Sequence, residues 1–142
     1  MIEVQVHFQA PAGPISRTFI QSAISYVLRK EKVAVATISC ILIDDMHMQA
    51  LNKQYLNHNY ATDVLSFPLS EEGDPLEGEI YISVETARLQ AKTYQVPVKE
   101  ELTRLIVHGT LHLCGYDDSE QQSADKMRSM QEWYVRDILN EK

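Results

Sequence analysis

The residues best placed to do chemistry lie in the run His108-Gly109-Thr110-Leu111-His112-Leu113-Cys114-Gly115-Tyr116-Asp117-Asp118. Two histidines four apart on a helix share one face, so both imidazoles can reach the same ion. Gly115 can take the chain out of that helix through a left-handed cap and swing Asp118 back toward the same point. Two imidazoles and a carboxylate leave a divalent metal an open position for water, which is the layout of a catalytic rather than a structural site. The alternative is a pair of core histidines satisfied by ordinary hydrogen bonds. Leu102, Leu105, Ile106, Val107, Leu111 and Leu113 make the surrounding helix apolar on nearly every face, and so buried. A shared metal is a better partner there than helix carbonyls already in use. Gly109 stands where a zinc metalloprotease carries its glutamate base, so peptidase chemistry by that route is disfavoured. A mid-helix glycine is costly and is read as making room, either for another backbone or for something bound to the metal. Cys114 follows His112 by two positions, points to another face, and is not expected to be a ligand.

The stretch resembles the signature of the YbeY family of endoribonucleases, in which a histidine, three residues, a histidine, five residues and a third histidine bind zinc. His108 and His112 match the first two positions, and Asp118 stands at the third, exchanging a nitrogen donor for oxygen. Leu51-Asn52, Tyr55, the run from Thr62 through Asp63 and Ser66 to Pro68, Gly78-Glu79-Ile80, Ile82-Ser83, Met127 and Glu132 fall in the family's order. Leu56 departs from it, since the family usually has an arginine there that would bind phosphate; Lys53, His58 and Arg104 are candidates to replace it.

The resemblance implies a metal-dependent endoribonuclease, a hydrolase, that cuts single-stranded RNA in ribosomal RNA maturation and ribosome quality control, notably at the small-subunit 3' end. It implies one zinc ion per chain, held by His108, His112 and Asp118, and a ribosome or small ribosomal subunit as partner. The segment 62–67 would line the active-site groove, with Asp63, Ser66, His58 and Arg104 as residues touching substrate or supporting the metal ligands. Asp63 either orients a ligating histidine or satisfies its own loop. His58 either reaches substrate or is a bystander in a surface loop. No general base is evident. Two other readings stay open: a non-catalytic ribosome-assembly factor braced by its metal, which Leu56 favours, and an iron(II) enzyme using the same two-histidine, one-carboxylate set.

The elements that must position these residues follow from hydrophobic spacing. Ile2, Val4, Val6 and Phe8 alternate with polar residues as in a half-buried strand. Helical spacing marks residues 15–30, and β-branched residues mark a central strand over 33–43. A short helix after Asp44 or Asp45 carries Met46, Leu51 and Tyr55; residues 56–61 read as a loop. Residues 62–67 form a short strand that Pro68 confines to an edge or a strand end. The acidic run 70–78 reads as a solvated hairpin loop without EF-hand spacing, followed by a strand over 79–82. Ser83 caps a helix to about Gln95, and Pro97 separates it from the metal helix. Ser119 and Gln122 have the spacing of a capping box for a last helix, with Met127, Met130 and Tyr134 on its apolar stripe.

The expected fold is one α+β domain over residues 1–142, a small four-stranded mixed sheet packed against helices with the metal-binding helix in the core. No apolar run approaches ~20 residues and no leader pattern is seen, so a cytoplasmic protein is expected, without membrane contact. Cys40 and Cys114 are too few for a disulfide framework. The net charge of −7 is against a generic nucleic-acid binder, DNA included. RNA must be met by a local positive patch, by the metal, or on a larger assembly.

Overall fold

Period-two alternation builds the first strand, β1 (Ile2–Phe8), with Val6 inside and Glu3, Gln5 and His7 outside, in a computed structural model that describes residues 1–56 and 62–140. Helix α1 (Arg17–Lys30) opens on Ser16, whose hydroxyl accepts from the Phe19 N–H, and buries Ile20, Ala23, Ile24, Val27 and Leu28. Strand β2 (Ala36–Ile43) and helix α2 (Asp45–Leu56) follow. Strands β3 (Val64–Pro68) and β4 (Leu76–Ser83) form the expected hairpin, turned with Gly73 at φ +94°. Ser83 caps α3 (Val84–Tyr94) by accepting from the Thr86 N–H. Helix α4 (Val98–Leu113) begins directly after Pro97, and α5 (Gln121–Asn140) closes the described chain.

The sheet runs β1-β2-β4-β3, with β1, β2 and β4 parallel and β3 antiparallel on the edge. The expected α+β class, four-stranded mixed sheet, central β2 and edge β3 are all present. Parallel neighbours need a crossover connection, and α1 supplies it between β1 and β2. Helix α4 packs against α1, α3, α5, β3 and β4. Its Leu102, Leu105 and Ile106 join Ile38, Leu42, Ile80 and Ile82 in one apolar cluster, while Val107 and Leu111 join Met127, Tyr134 and Val135 of α5 in another. Each such fully buried aliphatic side chain contributes about 1.5–3 kcal/mol, so the helix that carries the histidines is held from both sides.

The capping box at Ser119 does not form: the Ser119 hydroxyl donates to Asp117 Oδ2 at 2.7 Å, and α5 opens at Gln121 instead. Glu120 rather than Ser119 supplies the first helical carbonyl, accepting from the Ala124 N–H, so Ser119 stands one position too early to cap. The room made by Gly109 is filled by neither a backbone nor a metal-bound group. A Cβ there would lie 2.7 Å from Ile80 Cγ2, 3.1 Å from Ser66 Oγ and 3.3 Å from Val64 Cγ2, so the glycine lets α4 settle onto β3 and β4. Leu56 ends α2 rather than opening a loop; the rest of the expected loop, His58 included, lies outside the described residues. Among the described residues no helix is long and apolar enough to cross a membrane.

Candidate metal centre

Helical spacing does bring the two imidazoles together. His108 Nε2 and His112 Nε2 lie 3.1 Å apart, and Asp118 Oδ2 stands 3.9 Å from the first and 3.6 Å from the second. A tetrahedral ion with bonds of ~2.0–2.1 Å separates its donors by about 3.3–3.4 Å, and the three observed spacings bracket that value. His108, His112 and Asp118 form the one cluster of potential metal ligands among the described residues.

What faces the other ring nitrogens settles the tautomers. His108 Nδ1 lies 2.6 Å from Gln131 Oε1, whose own amide group donates to Glu132 Oε2 at 3.1 Å, leaving Oε1 as an acceptor. His112 Nδ1 lies 3.1 Å from the Tyr116 carbonyl. Both Nδ1 atoms therefore carry protons, and both Nε2 atoms present lone pairs to one point. Two lone pairs 3.1 Å apart repel unless a cation lies between them, so the donor set fits a divalent metal.

The turn after α4 builds half of this arrangement. Gly115 takes φ +104°, its N–H reaches the His112 carbonyl, and the Tyr116 N–H reaches back to Leu111. That turn aims the Tyr116 carbonyl at His112. The Tyr116 hydroxyl donates to Glu31 at 2.9 Å and Tyr134 donates to the same carboxylate, which ties the turn to the end of α1. Next, the Ser119 hydroxyl and backbone N–H bind Asp117 and hold its carboxyl below the usual range. Asp118, between these anchors, is left to face the histidines.

A cleft of about 510 Å³ opens over the site, lined by Thr62 through Ser66, Pro68, His108, His112 and Asp118. Asp63 and Ser66 are thus placed beside the metal position. Asp63 does not orient either imidazole, since those partners are Gln131 and the Tyr116 carbonyl; its carboxylate accepts from Gln90 Nε2 at 3.2 Å. Ser66 donates to the Gly109 carbonyl at 3.0 Å and pins β3 to α4. Arg104 lines neither this cleft nor its neighbour. Its guanidinium is held by Glu100, Glu101 and Glu132, so it is not free for phosphate and acts on His108 only through Glu132 and Gln131. Cys114 is not in the ligand cluster, and burial, with Glu31 nearby, pushes its thiol up to about 12.

A second cleft of about 230 Å³ shares His108 and Asp118 with the first and is walled by Ala124, Met127, Arg128 and Gln131. Neither Gln131 nor Arg128 stands out from motif spacing in the sequence. Gln131 is a buried polar residue on the apolar stripe of α5, a signal that it must have a partner. Arg128 lies one turn earlier on α5 and, among the described residues, is paired only with the exposed Asp125, at 3.0 Å.

Similarity to known proteins runs along nearly the whole chain. The family profile described as Endoribonuclease YbeY matches residues 7–139. Endoribonuclease YbeY of Salinibacter ruber is 32% identical over 144 residues, covering 96% of this chain and 92% of that protein. The protein of the same name from Flavobacterium psychrophilum is 42% identical over 109 residues, 77% of each chain. A Thermotoga maritima protein solved in solution superimposes with a TM-score of 0.70 at 28% identity, over 97% of this chain and 89% of that one.

Proposed function

Because the chain belongs to the Endoribonuclease YbeY family, we propose that this nuclease of the hydrolase class cuts single-stranded RNA in a metal-dependent reaction during ribosomal RNA maturation. The small-subunit 3' end is the site that the family resemblance favours, with the ribosome or its small subunit as partner and the cytoplasm as compartment. The observation that carries the metal dependence is the pair of Nε2 lone pairs 3.1 Å apart beside Asp118, at the floor of an open cleft.

His108 and His112 would hold the ion through Nε2 and Asp118 through its carboxylate. Zinc is the metal we infer, since this donor set suits it, and when bound it supplies positive charge to polarise a phosphate and acidifies a water ligand toward a pKa of ~7. Gln131 and the Tyr116 carbonyl keep the two imidazoles from turning. Thr62, Asp63 and Ser66 offer polar contacts along one wall of the cleft. Arg128 brings the positive charge that Arg104, tied to three carboxylates, does not. Its pairing with Asp125 is exposed and worth ~0.3–0.5 kcal/mol, so the guanidinium can turn to a phosphate at little cost.

Elemental analysis combined with cleavage of a single-stranded RNA by wild type, His112→Ala and Asp118→Ala tests the reading. Stoichiometric zinc in the wild type, with metal and cleavage lost together in both variants, is expected. Full metal without any cleavage by the wild type overturns the catalytic assignment, and stoichiometric iron overturns the choice of zinc.

A further inference from the structure

The side of β3 turned away from α4 carries a second pocket, of about 180 Å³, lined by Leu51, Tyr55, Phe67, Leu69, Glu79 and Tyr81. Along the strand, Val64 and Ser66 face Gly109 of α4, so alternation turns Phe67 to the opposite face, where its register partner is Glu79. Phe67 stands edge-on between Tyr55 and Tyr81, with ring centroids 5.5 Å and 5.7 Å away. Tyr55 is 59% exposed and Leu69 54%, both unusual for large apolar side chains grouped in one place. The Tyr81 hydroxyl donates to Glu79 Oε1 at 3.1 Å, and the carboxylate has lone pairs to spare.

This pocket and the metal cleft share one wall. Pro68 lines the cleft while its neighbours Phe67 and Leu69 line the pocket, and among the described residues β3 pairs with no strand but β4. A single strand laid across that edge keeps its backbone on the metal side and can turn a base over to the other. The lining chemistry selects the base and not the phosphate: among the described residues the walls are aromatic and aliphatic, the charged group is a carboxylate, and no cation lines the pocket. The volume corresponds to about six waters, the scale of one heterocyclic ring system.

We propose that the Tyr55, Phe67 and Tyr81 pocket takes one unpaired nucleobase of the RNA substrate, stacked on the exposed rings, with Glu79 accepting from its amino group. Stacking on aromatic side chains is the general means by which proteins grip unpaired bases. An acceptor at the pocket edge favours adenine, cytosine or guanine over uracil, which has no exocyclic amino group. The inference rests on RNA being the substrate, and it adds a base subsite across β3 from the metal.

Equilibrium binding of a labelled single-stranded RNA tests it, with one abasic nucleotide walked through successive positions and each RNA titrated against wild type and Tyr55→Ala. In the wild type one position should lose about 5- to 150-fold in affinity when its base is removed, and that loss should vanish in Tyr55→Ala. Phe67→Leu gives the same reading should Tyr55→Ala unfold. Glu79→Gln should narrow the preference against uracil at that position alone. A flat abasic scan, or a positional loss that persists unchanged in the variants, overturns the subsite and shows the rings to be only the seat of α2. RNA that is cleaved with a flat scan defeats the pocket alone, whereas a positional loss without cleavage defeats the nuclease reading alone.

Discussion

Whether the imidazole pair holds an ion is decided by the protons on their far nitrogens. Replacing Gln131 with leucine removes the acceptor that fixes the His108 tautomer, and metal affinity should fall by about 10- to 100-fold, measured by competition with a chelator. Gln131→Glu keeps an acceptor and should retain the metal. Behind Gln131, the Arg104 hydrogen bonds hold the Glu132 carboxyl below its usual range. The folded state thus binds that proton less readily than the unfolded one. The contribution is present above the unfolded value of ~4.3 and is lost as pH falls through the folded value. Glu132→Gln should therefore flatten the acid limb of melting temperature against pH, below about pH 4.5, while an unchanged limb would show the pair to be idle. At this scale the sequence was legible where the relation is local: His108, His112, Gly115 and Asp118 are fixed by spacing within one helix and its cap. Gln131 was hidden because it comes from 23 positions downstream on another helix, and the Tyr116 carbonyl because a backbone group leaves no mark on sequence.

Helix α4 carries the site only at one distance from the sheet, and Gly109 sets that distance. A methyl group at this position meets Ile80 Cγ2, part of a fully buried β-branched side chain with little room to yield. Overpacking of this kind costs about 1–3 kcal/mol, against up to ~1 kcal/mol regained in helix propensity. Gly109→Ala should lower the melting midpoint by several degrees and also weaken metal binding, because lifting α4 shifts His108 relative to Gln131 on α5. A fall in stability without any change in metal affinity would mean that the site rides with α4 as one body. That a neighbour approaches here was legible from a mid-helix glycine; that the neighbour is Ile80 with Ser66 was not, since sheet order and strand facing are properties of the assembled fold. The start of α5 shows the opposite failure. Ser119 has the right spacing for a cap, but the first helical carbonyl is that of Glu120, which accepts from the Ala124 N–H, and the bonds of Ser119 to Asp117 instead fix the loop that carries Asp118.

Net charge governs how the whole molecule meets its substrate. At −7 the chain repels a polyanion at long range, and among the described residues lining the two joined clefts only Arg128 is a fixed cation. Lys53, considered from sequence as a stand-in for the family arginine, lies on α2 and lines neither cleft. A basic groove that contacts many phosphates loses affinity steeply with salt, at a slope of about −0.7 per phosphate on single strands. Here one side-chain contact should leave a shallow dependence, so that the logarithm of RNA affinity falls against the logarithm of salt with a slope near −0.7, metal contacts aside. Arg128→Gln should bring that slope close to zero and weaken binding at low salt more than at high salt. It should leave metal content untouched, since Arg128 binds only Asp125 and not a metal ligand. A steep slope in the wild type, or a slope that Arg128→Gln does not change, would place the phosphate-binding charge elsewhere on the surface. A shallow slope carries one more expectation: without long-range attraction the isolated protein should hold free RNA weakly, and the particle proposed as its partner should tighten that binding when added.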